Sequence, residues 1–536
     1  MRIMIGAFLE SFVVGSIMAN FIAAVHADRH VLIGRIVTMD AKGTVHTRGA
    51  ICIEADRIVA VVADPAHVPD AFTGITAVET HGTIFPGLIE LHNHLSYNFL
   101  PLWSVPKPYT NRNQWREKEP DYPISVSLPA KVIGANADSD YPRSIARFVE
   151  CRSLLGGTTT TQGLSASSNG GKKWYQGLTR NVEAPGDPAF PAAGGQTLDY
   201  APSEIATKLV PALKKDRPFF YHLSEGTDQD ARQRFLDLEY VSNTWAIDPD
   251  LIPIHCTALQ PTDFQRLKAA AGMVWSPLSN LLLYGQTTDV AAAKAAGVPI
   301  ALGSDWSPSG SKNLLGELKI ARIVSDHHGN MFTPEELARM VTSVPARMLG
   351  WQGQIGMIER GLKADLVILE GNAADPYVQL IDARESDILA VTIDGCPRYG
   401  RLGFLDFDAK RQERIVIGGR DYSLDLTEAG DDPMGGVSLG TAIAKLAYGL
   451  AHLPELAASA PAPAIIGFKA LECEAITIDF DMEEEEDFTT LQDVMRNKAP
   501  VLKPMSMAPI TAIDDPDFIP ALKANVNLPV YVKQAL

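Results

Sequence analysis

The sequence predicts an α/β protein in which a (β/α)8 barrel is inserted into a small composite β-sandwich domain and followed by a C-terminal extension. Three observations lead there. Residues 84–350 alternate short apolar strands with helical stretches, the pattern of parallel strands joined by crossover helices. Residues 28–83 and 351–420 are short β-branched runs separated by turns, and neither set has enough strands to stand alone. Finally, four apolar runs within the barrel region end in His, Glu or Asp.

The elements follow in order. Residues 1–27 form a leader whose apolar stretch and small residues at Val25-His26-Ala27 suit export with cleavage after Ala27. Glu10 inside the apolar run, with Arg2 as the sole charge ahead of it, suits a cytoplasmic chain equally well. Glu10 and Asn20 also interrupt any membrane span, so integral membrane association is not expected. Strands are expected at His30–Thr38, Ala50–Glu54 and Arg57–Val62, the last two flanking the turn Ala55-Asp56. Within the barrel, strands Leu251–His255, Met273–Pro277 and Val298–Asp305 are separated by helices at about 261–271 and 290–296. Thr333-Pro334-Glu335-Glu336 reads as a helix start, with a threonine cap, proline at N1 and glutamate at N3. Strands return at Asp365–Leu369 and Ile388–Ile393, before the turn Asp394-Gly395. In the extension, 421–536, residues 438–458 look helical and Pro461-Ala462-Pro463 resembles a linker. The acidic run Asp481–Asp487 reads as a solvated face.

Composition narrows the function. A chain of 536 residues with 46% hydrophobic and 21% charged residues is globular and holds more than one core. A net charge of −17 repels phosphate backbones, so no nucleic-acid partner is expected. Five cysteines, at 52, 151, 256, 396 and 473, include no C-x-x-C pair, which argues against a disulfide framework or a cysteine zinc site.

The chemistry lies at the strand ends. His92 and His94 stand at i and i+2 after an apolar run, so on a strand both imidazoles face the same way. Pro218–Leu223 carries His222, with Glu225 three residues on; His255 and Asp305 end two later strands. In a (β/α)8 barrel such strand ends converge on the active-site mouth. Any one of them could be a satisfied core residue, but the ordered set points to a metal site.

These residues resemble the amidohydrolase superfamily. The resemblance rests on Pro86-Gly87-Leu88-Ile89 running to His92 and His94, on His222 with Glu225, on His255, and on Gly303-Ser304-Asp305. Gly156-Gly157-Thr158-Thr159-Thr160 and the run from Gly356 to Leu369 extend it, and together they cover residues 28–420. The nearest branch is that of cytosine and guanine deaminases and triazine hydrolases. The resemblance implies one divalent metal, Zn2+ or Fe2+, held by His92, His94, His222 and Asp305, with a water activated for attack. Asp305 would take a proton from that water, Glu225 would carry a proton to the ring nitrogen or the leaving group, and His255 would hydrogen-bond or polarise the substrate or stabilise the tetrahedral intermediate. A bridging lysine would mark a two-metal site; Lys208, Lys214 and Lys215 fall on a helical or turn stretch.

The expected activity is hydrolysis of a carbon–nitrogen bond other than a peptide bond in a small cyclic or aromatic molecule, with deamination first. Amide, urea or carbamate cleavage, or displacement of a ring substituent, are alternatives, and a noncatalytic metal- or ligand-binding relative is an alternative of another class. Ser276 and Asn280 are candidate substrate contacts, with turn stabilisation as an equal rival. Trp103, after the histidine pair, is a third. Tyr109, Trp115, Trp174 and Tyr175 lie in loops that could also line the mouth. The expected partner is a small-molecule substrate, with homo-oligomerisation a habit of the family.

Overall fold

The computed structural model describes residues 29–134, 136, 138, 140–163, 178–404, 412–427, 434–459 and 497–536. The leader, Trp174, Tyr175, Cys473, the Pro461–Pro463 stretch and the acidic run at 481–487 lie outside the described residues.

Four strands open the chain: β1 (Arg29–Val37), β2 (Val45–Glu54), β3 (Arg57–Val62) and β4 (Val78–Pro86). The parallel set follows as β5 (Leu88–Glu90), β6 (Thr158–Thr161), β7 (Arg180–Asn181), β8 (Gly194–Gln196) and β9 (Phe219–Leu223). A short hairpin, β10 (Glu239–Val241) and β11 (Thr244–Trp245), precedes β12 (Leu251–His255), β13 (Met273–Trp275) and β14 (Ile300–Leu302). Five strands close the order: β15 (Leu366–Glu370), β16 (Ile388–Ile393), β17 (Cys396–Arg401), β18 (Gln412–Ile417) and β19 (Arg420–Asp425).

Strands from both ends of this order share one nine-stranded sheet, β18-β19-β17-β16-β15-β4-β1-β2-β3. The sequence suggested a sandwich. Hydrogen bonding draws a continuous sheet instead, because β4 is paired on one edge with β1 and on the other with β15. The sheet also runs on to Asp425, past the boundary at 420. Its strands obey the two-residue period: Val31 and Ile33 pack with Cys52 and Phe72 on one side, Leu32 with Ile51 and Ile368 on the other.

The chain leaves this sheet at Pro86-Gly87 and enters the parallel set. Three strands pair as β5-β6-β7 and five as β14-β13-β12-β9-β8, every pairing parallel. Backbone bonds join the two groups. Asp305 N donates to His92 O at 3.0 Å and His94 N donates to Asp305 O at 2.6 Å, tying the segments that follow β14 and β5. Ala193 N donates to Val182 O at 2.8 Å between β7 and β8. Gly163 makes part of this closeness possible: a Cβ there would lie 1.5 Å from Asn93 O, and its φ is +97°.

The C-terminal extension packs on the barrel region. Helix Leu439–Ala451 lies against helix Asp140–Leu155. Near the chain end, Asn527 Nδ2 donates to Leu282 O at 2.7 Å and Tyr531 stacks on His327 at 3.7 Å. Among the described residues no helix is long and apolar enough to cross a membrane. Cys52, Cys256 and Cys396 are free thiols.

The nine-stranded sheet and the parallel set are clamped by one buried ion pair. Arg180 on β7 pairs with Asp365, and its Nη2 reaches Asp394 at 2.8 Å. Both Arg180 and Asp365 are buried. Arg180→Leu leaves a buried carboxylate unpaired, and a loss of about 3–5 kcal/mol is expected. A chemical-denaturation midpoint that stays where it was in this variant would refute the clamp.

Candidate metal centre

Six strand-end side chains meet in one buried cluster. β5 ends at Glu90, so His92 and His94 lie just past the strand rather than on it. Their rings still converge, with centroids 4.9 Å apart. The cause is the pairing to Asp305: a parallel bridge joins Asn93, three residues beyond β5, to Asp305. Gly303 allows the approach, since a Cβ there would meet His92 Cβ at 2.5 Å. Glu90 anchors the same turn by accepting from Ser304 N at 2.9 Å, and Ser304 Oγ also donates to it.

His222 lies on β9, and His255 ends β12, paired to Leu223. Beyond these strands the backbone turns sharply: φ is positive at Ser224 (53°), His255 (65°), Cys256 (55°) and Asp305 (65°). Left-handed conformations are uncommon outside glycine, and residues held in them cluster at functional sites.

The distances are those of a converging donor set. His92 Nε2 is 3.1 Å and His94 Nε2 3.5 Å from Asp305 Oδ1. His222 Nε2 is 3.2 Å from His94 Nε2. His92, His94 and Asp305 bring one donor atom each within 4.8 Å of one another, and so do His92, His222 and His255. Burial, with the neighbouring imidazoles adding, drives His222 well below the ordinary histidine range, so its ring is neutral with a lone pair to give. Burial would raise Asp305, but His92, His255 and His94 outweigh it and hold the carboxyl well below the usual carboxylate range. Neutral imidazoles and one ionised carboxylate fit a divalent cation.

His255 is set up differently. Its Nδ1 faces the Asn280 amide nitrogen at 3.1 Å, and Asn280 Oδ1 accepts from Thr287 Oγ1 at 3.4 Å. With Nδ1 accepting from Asn280, the ring proton sits on Nε2, and Nε2 faces Glu225 Oε2 at 3.8 Å. His255 thus presents a donor to the centre. It too is driven well below the histidine range, chiefly by burial.

Glu225 is held by residues that the sequence did not single out. Tyr284 donates to Oε1 at 2.6 Å and in turn accepts from Trp115 Nε1 at 2.9 Å. Arg112 Nη1 stands 3.6 Å from Oε2, and its other arm pairs with Asp199 at 2.8 Å. Oε2 itself makes no hydrogen bond among the described residues. Burial pushes this carboxyl up to about 7, against the pull of Arg112.

A tight pocket lies over the cluster, lined by His94, Trp115, His222, Glu225, His255, Leu283, Asp305 and Trp306. Of the residues proposed for substrate contact, none lines it. Trp103 stacks on Tyr109 and donates to Asp121 at 2.7 Å. Ser276 stands at the N-cap position of helix Pro277–Tyr284 without a side-chain cap bond, and Asn280 faces His255. Tyr109 donates to Glu119. Trp115 does reach the cavity. Leu283, Tyr284 and Trp306 carried no signal beyond apolar spacing, because packing alone brings them there. Lys208 is exposed and pairs with Glu204; Lys214 and Lys215 follow helix Val210–Leu213, which it precedes.

Comparison with known proteins agrees with this geometry. Residues 187–398 match the model of the amidohydrolase family. The chain is 28% identical over 187 residues to a 5-methylthioadenosine/S-adenosylhomocysteine deaminase of Acetivibrio thermocellus, spanning 32% of this chain and 43% of that relative. It is 21% identical over 380 residues to the like-named deaminase of Symbiobacterium thermophilum, spanning 63% of this chain and 84% of the relative. In structure it resembles an adenosine deaminase from Xanthomonas campestris with bound zinc, at a TM-score of 0.56 and 20% identity, over 71% of this chain and 95% of that one. The fold is therefore α/β of the TIM-barrel type.

A second buried carboxyl supports the site from behind. Glu317 accepts from Leu278 N at 2.9 Å, at the start of the helix that carries Asn280. Burial pushes Glu317 up to about 8, from an ordinary value of 4.5. The folded state therefore holds this proton more tightly than the unfolded chain. That contribution is complete below the unfolded value and is lost as pH rises toward 8. The denaturation midpoint should fall between pH 5 and pH 8 more steeply in the native protein than in Glu317→Gln. Parallel pH dependences would contradict a protonated Glu317.

Proposed function

We propose that this chain is a member of the amidohydrolase superfamily it resembles, and that its buried cluster is the centre of a metal-dependent hydrolase that deaminates a small heterocyclic amine. The supporting observation is the pairing of a converging His/Asp donor set with a carboxylate, Glu225, whose Oε2 is unbonded and aimed at it. His92, His94, His222 and Asp305 would hold a single divalent ion, zinc or iron. We infer that the two parallel strand groups are arcs of one closed eight-stranded barrel, with the centre at its carboxyl end.

When bound, the ion would supply an acidified water and electrophilic pull on the substrate. The chain's own residues do the rest. Asp305 accepts a proton at its carboxylate. Glu225 receives it at Oε2 and delivers it to the leaving nitrogen, while Tyr284 keeps Oε1 fixed. His255 donates from Nε2 toward charge developing on the substrate, and Asn280 holds the ring in that tautomer. Trp115 and Trp306 exclude water and offer flat faces to a planar ring.

Elemental analysis of the full-length protein should give one zinc or iron per chain. Ammonia release should appear in a screen of heterocyclic amines. Glu225→Gln should lower turnover at least ~100-fold while keeping its metal, and His222→Ala should lose the metal. Two metals per chain would overturn the single-ion reading, and unchanged turnover in Glu225→Gln would remove the proton carrier.

A further inference from the structure

A second cavity lies beside the metal centre, outside the residues that line it. It measures about 240 Å3 and opens between the loop Asn98–Leu102, the segment after β14, and residues 506–521 of the C-terminal extension. An engineered apolar cavity of about 150 Å3 is enough to hold benzene, so this one admits a ring with a small substituent.

Its walls are of two kinds. Phe99, Leu102, Met507 and Phe518 give an apolar body. Arg152 and Lys312 give charge. Lys312 is neutralised by Asp515 at 2.7 Å, and the exposed Asp517 stands at the rim. Arg152, only 5% exposed, makes no direct ion pair among the described residues, although Glu90, Glu385 and Asp515 are near enough to favour its charge. Its Nε donates to Lys312 O at 2.7 Å, and its Nη1 donates to Asn98 O at 2.6 Å and to Ser307 Oγ. Its Nη2 donates to nothing among the described residues. A buried guanidinium with a free arm and no direct ion pair favours a further acceptor, and a planar carboxylate is the group that best matches its fork.

We propose that this cavity is a binding site for a small carboxylate with an apolar body, such as an aromatic monocarboxylate, held by Arg152 Nη2. The site stands on its own geometry and does not depend on the deaminase reading. It also adjoins the centre. Asn98, held by Arg152, donates to Asn93 Oδ1 at 2.8 Å, between His92 and His94, and accepts from Ser307 N at 2.8 Å, two residues beyond Asp305. A ligand on Arg152 would therefore steady the loop that carries both ends of the metal cluster.

The test is calorimetric titration of the full-length, metal-loaded protein with benzoate and with benzamide, its uncharged counterpart of like shape. Benzoate should bind saturably and benzamide at least ~10-fold more weakly. Ala508→Phe places bulk on the cavity wall while leaving Arg152 in the sequence, and should abolish benzoate binding. Arg152→Met should weaken it by a similar factor; if that variant does not fold, Ala508→Phe decides alone. Benzoate binding that persists in Ala508→Phe would place the carboxylate at the metal instead, and would overturn the proposal. So would equal binding of benzamide, or no saturable binding at all.

Discussion

The pairing of Asp305 with the backbone of His92 and His94 is the constraint on which the remainder rests. Residues more than two hundred positions apart are locked by two backbone bonds, by Asn93 Nδ2 donating to Ser304 Oγ at 3.0 Å, and by the contacts of Glu90 to Ser304. This one seam joins the first and last strands of the parallel set. It also places the carboxylate of Asp305 against two imidazoles. Fold closure and ligand geometry are therefore the same event, and a change that slipped the register there would dismantle both.

Around this seam the electrostatics are tightly balanced. Asp305 stays ionised because the imidazoles around it outweigh its burial, while Glu225, buried and facing a single guanidinium, is poised near neutrality. The contrast shows how two carboxyls a short distance apart take different roles by environment alone. Tyr284 and Arg112 add a second control: each holds one oxygen of Glu225, or stands beside it, so that the free lone pairs face inward.

The candidate donor set was legible in the sequence because it is written at strand ends. His92, His94, His222, Glu225, His255 and Asp305 each follow an apolar run, and a parallel α/β fold brings such ends together whatever the loops do. The alternation of strands and helices, and the return to short strands after residue 350, were readable for the same reason: period and turn residues are local. The walls of the cavity were not. Trp103 and Trp115 look equivalent in the sequence, both aromatic and both in the loops after β5. Only tertiary packing sends one onto Tyr109 and the other onto Tyr284. Ser276 and Asn280 do stand beside the cluster, where a helix begins and Asn280 faces His255.

The aromatic roof has a consequence for the rhythm of the catalytic cycle. Trp115, Trp306 and Leu283 are all but fully buried and leave little room above the donor set. Trp115 is tied to Tyr284, and Tyr284 to Glu225, so a planar guest that displaced these rings would also shift Glu225. Entry to this centre and proton transfer within it would then be coupled through one chain of hydrogen bonds.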